Sequence, residues 1–182
     1  MFYKTAEWLC RFLVLSFQLF VASYDVVLLW NCNDGISLLL GTFVTFVVGM
    51  QLCYWLTIWN GPGYVKDYWN ELCELACFSA RKCEVCSISR PKLCHHCSKC
   101  KKCILRMDHH CIWLGSCIGY GNIANFIRFL LYSLICCAMH ILITIVVCKN
   151  DGNGYLLSGK QVIIIAINFV LCGTVAFLLL IL

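Results

Sequence analysis

Charge is scarce in this 182-residue chain: 13% of its residues are Asp, Glu, Lys or Arg, whereas 62% are hydrophobic. That balance excludes an ordinary water-soluble domain and a disordered chain, and it defines a membrane protein. Four apolar runs are long enough to cross roughly 30 Å of hydrocarbon at about 1.5 Å per residue. They extend from Leu9 to Trp30, Ile36 to Trp59, Ala124 to Cys148 and Gln161 to Leu182. The first far exceeds the roughly 7–15 apolar residues of a signal core, and Arg11 interrupts its start, so it reads as a retained helix. The expected fold class is an all-α polytopic membrane protein with four transmembrane helices.

Basic residues are unevenly distributed along the chain. The turn Asn31 to Gly35 has no Lys or Arg, as suits an outside loop, whereas Asn60 to Ala124 holds nine of the chain's fourteen: Lys66, Arg81, Lys82, Arg90, Lys92, Lys99, Lys101, Lys102 and Arg106. The positive-inside rule therefore places the central segment in the cytosol, and an even number of spans puts both termini there too. Lys149 and Lys160, in the other outside loop, are a mild contrary signal. A reducing cytosol also keeps thiols available for metal rather than disulfides. No retrieval or lipidation signal specifies an organelle.

Within the central segment, Asn60-Gly61-Pro62-Gly63 is a turn sequence, flanked by Trp59 and Tyr64, which suit the headgroup layer. Residues Lys66 to Phe78 carry apolar or aromatic residues at Tyr68, Trp69, Leu72, Leu75 and Ala76, the period of an amphipathic helix lying on the membrane. From Cys83 onward periodicity is lacking, and order must come from metal rather than from a hydrophobic core.

Between Cys83 and Cys117 the chain places eight cysteines and four histidines in 35 residues. The pattern is Cys83-x2-Cys86-x9-His96-Cys97-x2-Cys100-x2-Cys103, then Asp108-His109-His110-Cys111, then Cys117; Cys94 and His95 lie inside it. One tetrahedral zinc cannot use so many soft ligands, and two ions with a spare thiol fit better. Spacing alone does not partition the ligands.

The run C-x2-C-x3-[RK]-P-x3-H-H-C-x2-C-x2-C-x4-D-H-H-C-x5-C-x4-N-x3-F, from Cys83 to Phe126, resembles the cysteine-rich domain of the DHHC family of protein S-acyltransferases. The layout is similar too, with two spans on either side and Gly61-Pro62-Gly63 where that family has Asp-Pro-Gly. The resemblance implies one structural zinc on Cys83, Cys86, His96 and Cys103 and a second on Cys97, Cys100, His110 and Cys117. It leaves Asp108, His109 and Cys111 for catalysis: Cys111 as nucleophile, His109 as its base, Asp108 to orient the imidazole, and His110 to hold its neighbours in place. The implied activity is transfer of a long-chain acyl group such as palmitoyl from acyl-CoA, through acyl-Cys111, to cysteines of substrate proteins at the cytosolic membrane face. The partners are membrane lipids, acyl-CoA and those proteins, with no nucleic acid, and the family-level location is the Golgi or endoplasmic reticulum.

The domain layout expected is residues 1–60 for two spans, 61–82 for the turn and amphipathic helix, 83–123 for the zinc domain and 124–182 for two more spans. Residues binding acyl-CoA are not assigned. Arg90, Lys92 and Lys99 could meet its phosphates, but a basic run beside a membrane more often contacts anionic lipid. The chain departs from the family at Leu93, Ile112 and Gly115-Ser116, and the sequence ends at Leu182 before the family's Thr-Thr-x-Glu tail, as expected of a truncated isoform, a fragment or a reduced member with impaired activity. A zinc-binding scaffold with impaired catalysis is the alternative, and a redox or metal-relay module a third.

Other reactive residues take simpler readings. His140, in the third span, is expected to hydrogen-bond a neighbouring helix. Asp25 is expected to reach the outer interface and carry no chemistry. Cys10, Cys32, Cys53, Cys148 and Cys172 read as small apolar residues, while Cys73, Cys77 and Cys94, near the site, are inert by default.

Overall fold

A computed structural model describes residues 2–30, 37–67 and 78–150, together with 162, 163, 166, 167 and 170. Its helices are α1 (Phe2–Trp30), α2 (Ser37–Asn60) and α3 (Ile123–Asn150). All three contain a stretch long and apolar enough to cross a membrane: Thr5–Val27, Leu39–Asn60 and Ile123–Val146. With the cysteine-rich groups described below, they make this an integral membrane protein. The expected fourth span lies largely outside the described residues, of which 162, 163, 166, 167 and 170 are helical, and the expected amphipathic helix falls almost wholly outside them.

The all-α expectation is corrected between α2 and α3. Among the described residues six short strands occur there: β1 (Phe78–Lys82), β2 (Ser89–Pro91), β3 (His95–Cys97), β4 (Lys102–Ile104), β5 (His110–Cys111) and β6 (Ser116–Cys117). They pair as three separate antiparallel ribbons, β1 with β2, β3 with β4 and β5 with β6. Ribbons this short are marginal by themselves, and hydropathy gives no hint of them, because metal-ligand chemistry rather than an apolar stripe dictates their sequence.

The chain divides into two compact units, Met1–Leu15 with Tyr54–Phe126, and Ser16–Cys53 with Ile127–Leu182. The described residues of the second are helical. Phe43 and Ile143 form its buried centre, packed by Ala22, Leu39, Leu40, Val47, Cys136, Met139 and Val146. Gln51 Nε2 donates to Gln18 Oε1 at 2.8 Å.

This unit also corrects the reading of Asp25, which does not reach the interface. It is wholly buried, and its Oδ1 lies 2.7 Å from Nδ1 of equally buried His140. The histidine thus does bond a neighbouring helix, and its partner is the carboxylate set aside from the sequence. In a medium without water each group is tolerated because the other is present. Asp25→Leu is therefore expected to destabilise the protein in detergent by about 1–3 kcal/mol, and the double variant with His140→Leu to recover most of the loss. Thermal unfolding midpoints check this; additive losses would mean the two groups are not coupled.

In the first unit, the segment after α2 is stitched into the ribbons. Val65 N–H donates to the Cys103 carbonyl at 3.0 Å, Leu105 N–H to Gly63 at 2.9 Å and Gly121 N–H to Pro62 at 3.2 Å. Gly63 has φ +83°, and a Cβ there would lie 3.1 Å from Gly121 N, so the position needs glycine on both conformational and steric grounds. Trp59 is exposed, whereas Tyr64 packs against Cys97, Ile104 and Cys117, with the Lys102 ammonium 4.1 Å from its ring centroid.

Candidate active site and metal centres

Two local devices build the metal centres. The first is a turn at each C-x2-C: Cys86 N–H points at Cys83 Sγ and Cys100 N–H at Cys97 Sγ, both at 3.4 Å. Each turn closes on a residue of positive φ, Ser87 at 55° and Lys101 at 54°. The second device is strand alternation, by which neighbouring residues project to opposite faces. In the β3–β4 ribbon His96 stands opposite Cys103 and Cys97 opposite Lys102. His96 and Cys103 consequently turn to one cluster, while Cys97, one residue on, serves the other.

The clusters are Cys83, Cys86, His96 and Cys103, and Cys97, Cys100, His110 and Cys117, with the donor atoms of each group within 4.8 Å of one another. His96 Nδ1 lies 3.6, 3.2 and 3.8 Å from the sulfurs of Cys83, Cys86 and Cys103. His110 Nδ1 lies 3.6, 3.4 and 3.4 Å from those of Cys97, Cys100 and Cys117, and the last two sulfurs are 3.5 Å apart. A tetrahedral zinc with Zn–S of about 2.3 Å and Zn–N of about 2.0 Å has ligand–ligand edges of about 3.5–3.8 Å. The observed spacings match those edges, so both Cys3His groups fit structural zinc.

Alternation also sets Cys111 apart. In the β5–β6 ribbon His110 pairs with Cys117 and Cys111 with Ser116. His110 and Cys117 share the face that meets the metal cluster, and Cys111 takes the opposite face, outside both clusters. The sulfur is buried, with the residue 8% exposed. Burial pushes its thiol above the ordinary cysteine range, while the backbone N–H groups of Leu114 and Trp113 pull part of the way back by favouring the thiolate.

Asp108 and His109 are brought together, with Asp108 Oδ2 3.2 Å from His109 Nδ1 and each side chain about two-fifths exposed. Two backbone bonds fix them against the strand end: Asp108 N–H donates to Ile118 O at 2.9 Å and Ile118 N–H to His109 O at 2.8 Å. The imidazole meets buried Phe126 edge to face, with ring centroids 5.7 Å apart. Among the described residues no hydrogen bond joins His109 to Cys111. Catalytic contacts of this type commonly tighten only when substrate is bound.

Cys94, one of the spare thiols, is 6% exposed and packs with Val65, Cys83, Cys103 and Leu105, a filling role consistent with the inert reading. Cys73 and Cys77 lie outside the described residues. Lys92 and Lys99 are exposed, and Arg90 is half-buried with its guanidinium 3.4 Å from the Lys82 carbonyl.

Asn122, present in the sequence motif but given no task there, proves to be a knot. Its Oδ1 accepts from Gly119 N–H at 3.0 Å, and its Nδ2 donates to the carbonyls of Thr57 and Cys117, also at 3.0 Å. It thereby ties the end of α2 and the start of α3 to the second cluster. Asn122→Ala leaves buried polar groups unpaired, and a loss of about 2–3 kcal/mol with faster zinc release to a chelator is the expected outcome. Unchanged zinc release would show that the knot does not support the metal site.

The fold and site so far define an integral membrane protein with a two-centre Cys/His module that fits metal between α2 and α3, and with Cys111 outside both clusters. The chain belongs to the DHHC palmitoyltransferase family, whose model matches residues 76–182. Palmitoyltransferase ZDHHC15A of Danio rerio is 51% identical over 59 residues, 32% of this chain and 18% of the relative. Palmitoyltransferase ZDHHC2 of Homo sapiens is 53% identical over 57 residues, covering 31% and 16%. Palmitoyltransferase PFA3 of Kluyveromyces lactis is 53% identical over 57 residues, covering 31% and 18%. The matched stretch is thus less than a fifth of each of these relatives.

Proposed function

We propose that the chain is a protein S-acyltransferase that moves a long-chain acyl group, palmitoyl in type, from acyl-CoA to cysteines of substrate proteins at the cytosolic membrane face. The observation that carries this reading is the register of the β5–β6 ribbon, which directs His110 and Cys117 to a metal cluster and Cys111 away from it. Metal bound at the two Cys3His groups would supply structure, holding the ribbon while Cys111 stays outside both clusters.

In the first step His109 takes the Cys111 proton, and the thiolate attacks the thioester carbonyl of acyl-CoA. A new C–S bond forms to Cys111, the bond to the CoA sulfur breaks, and the CoA thiolate takes up the proton from the imidazolium. Asp108 holds the imidazole tautomer and stabilises its charged form. In the second step His109 deprotonates an acceptor cysteine, which attacks acyl-Cys111 and releases the Cys111 thiolate to be reprotonated. A thioester is exchanged for a thioester, so the task is positioning more than driving force. The backbone N–H groups directed at the Cys111 sulfur from Trp113 and Leu114 support its thiolate in both steps.

The proposed setting has the zinc domain of residues 83–123 and both termini in the cytosol, spans at 1–60 and 124–182, the juxtamembrane segment at 61–82, and an endomembrane location. Loading the chain in detergent with radiolabelled palmitoyl-CoA, removing free donor and adding a cysteine peptide tests the reading. Label should pass to the peptide at the rate it leaves the protein. Label that never forms on the protein, or that stays when acceptor is present, would contradict it.

A further inference from the structure

The first turns of α1 carry Glu7 and Arg11, four residues apart and so on one helix face. An ionisable residue in a helix apolar enough to cross a membrane is costly unless a specific partner receives it. Both have one, and both partners lie in the ribbon that presents Cys111. Glu7 Oε1 lies 3.2 Å from His110 Nε2, with the two side chains only 14% and 12% exposed. Arg11 Nη2 donates to the Gly115 carbonyl at 2.9 Å.

The ring nitrogens of His110 divide the work. Nδ1 faces the three sulfurs of the second cluster, and with metal bound there Nε2 would carry the proton and donate it to Glu7. A carboxylate in that place fixes the ligand tautomer and ring angle and raises the basicity of the ligating nitrogen. The loop between β5 and β6 is shaped for the other contact. Gly115 has φ +54°, and a Cβ there would sit 2.5 Å from Arg11 Nη2 and 2.9 Å from its Nε. Glycine at this departure from the family pattern is therefore matched to an arginine on α1: the guanidinium occupies the space a side chain would need.

We infer that Glu7 and Arg11 form a two-point clamp that positions the nucleophile ribbon, Glu7 by orienting His110 toward its metal and Arg11 by holding the loop that follows Cys111. The effect on Cys111 rests on the acyl-transfer reading; the effect on the metal does not.

The test uses the full chain in detergent, loaded with zinc or cobalt(II), as wild type, Glu7→Ala, Glu7→Gln and Arg11→Ala. In Glu7→Ala one of two zinc ions should pass to a chromogenic chelator about 10–100-fold faster, and the absorption bands of one cobalt site should shift. Glu7→Gln, which retains an acceptor oxygen without the charge, should fall between. Arg11→Ala should release zinc as wild type does but acylate Cys111 more slowly at saturating palmitoyl-CoA. Wild-type zinc release and cobalt spectra in both Glu7 variants would overturn the metal half, and wild-type acylation in Arg11→Ala the other. If Glu7→Ala fails to hold either ion, Glu7→Gln decides. A wild-type chain that takes no label while the Glu7 variants shift one cobalt site would remove the acyl-transfer reading and leave the clamp on the metal standing.

Discussion

Cys111→Ser, incubated with palmitoyl-CoA, is expected to acquire no hydroxylamine-sensitive label, and His109→Ala to acquire it about 10²–10⁴-fold more slowly than wild type. The two losses have different causes. Serine removes the sulfur, and a hydroxyl in the same buried place is a poor nucleophile at neutral pH without a much stronger base. Alanine at 109 leaves the sulfur, but burial already holds the Cys111 thiol above its ordinary range, so little thiolate forms unaided. Asp108→Asn should fall between, because the imidazole keeps a hydrogen-bond partner and loses its compensating charge. All three variants should hold two zinc ions, since none of these residues belongs to a cluster. A His109→Ala chain that labels at the wild-type rate would remove the histidine from the mechanism.

Stripping the metal should have a still larger structural effect. Among the described residues the hydrophobic clusters around the ribbons are small and consist mostly of the cysteines themselves: Cys83, Cys94 and Cys103 with Val65 and Leu105, and Cys97 and Cys117 with Ile104. Structural zinc in such sites contributes apparent free energies of about 10–16 kcal/mol, far more than these few apolar residues supply. A strong chelator is therefore expected to abolish acylation and to open residues 83–117 to thiol reagents, while the helical circular-dichroism signal of the spans largely remains. Cys97→Ser should lower the zinc content from two toward one, whereas Cys94→Ser, buried beside the first cluster but outside it, should keep both. Retention of two ions by Cys97→Ser would contradict the partition of ligands.

Hydropathy and spacing carried much of this arrangement. Three helices occur where apolar runs were long enough, because the membrane constraint acts on length and composition, both visible in one dimension. The wealth of Cys and His points to two groups that fit metal in the central segment, but spacing does not say which ligand goes where. That partition depends on strand register: His96 and Cys97 are adjacent in the chain and part company only because a ribbon sends them to opposite faces. The same holds for His110 and Cys111. The ribbons carry no alternating apolar pattern, which is why an all-helical protein was expected.

Asp25 eludes a reading from sequence for a related reason. Its distance from the end of the span suggested a route to the interface, and only the packing of α1 against α3 in the second unit reveals His140 beside it. Arg11 stood out as an interruption of the first apolar run and Glu7 did not stand out at all. Their partners lie more than 100 positions away, beyond any local signal. The helical spacing of two opposite charges at the head of an apolar run was the one available clue.

The most direct measurement is peptide mass spectrometry of the wild-type chain after brief exposure to palmitoyl-CoA, with zinc quantified in the same sample. Two zinc ions per chain and a palmitoyl adduct on the peptide containing Cys111, at that residue and removed by hydroxylamine, are expected. An adduct confined to another cysteine, or a Cys111 that resists acylation because its sulfur is a zinc ligand, would contradict the separation of metal-bound and reacting sulfurs on which the function depends.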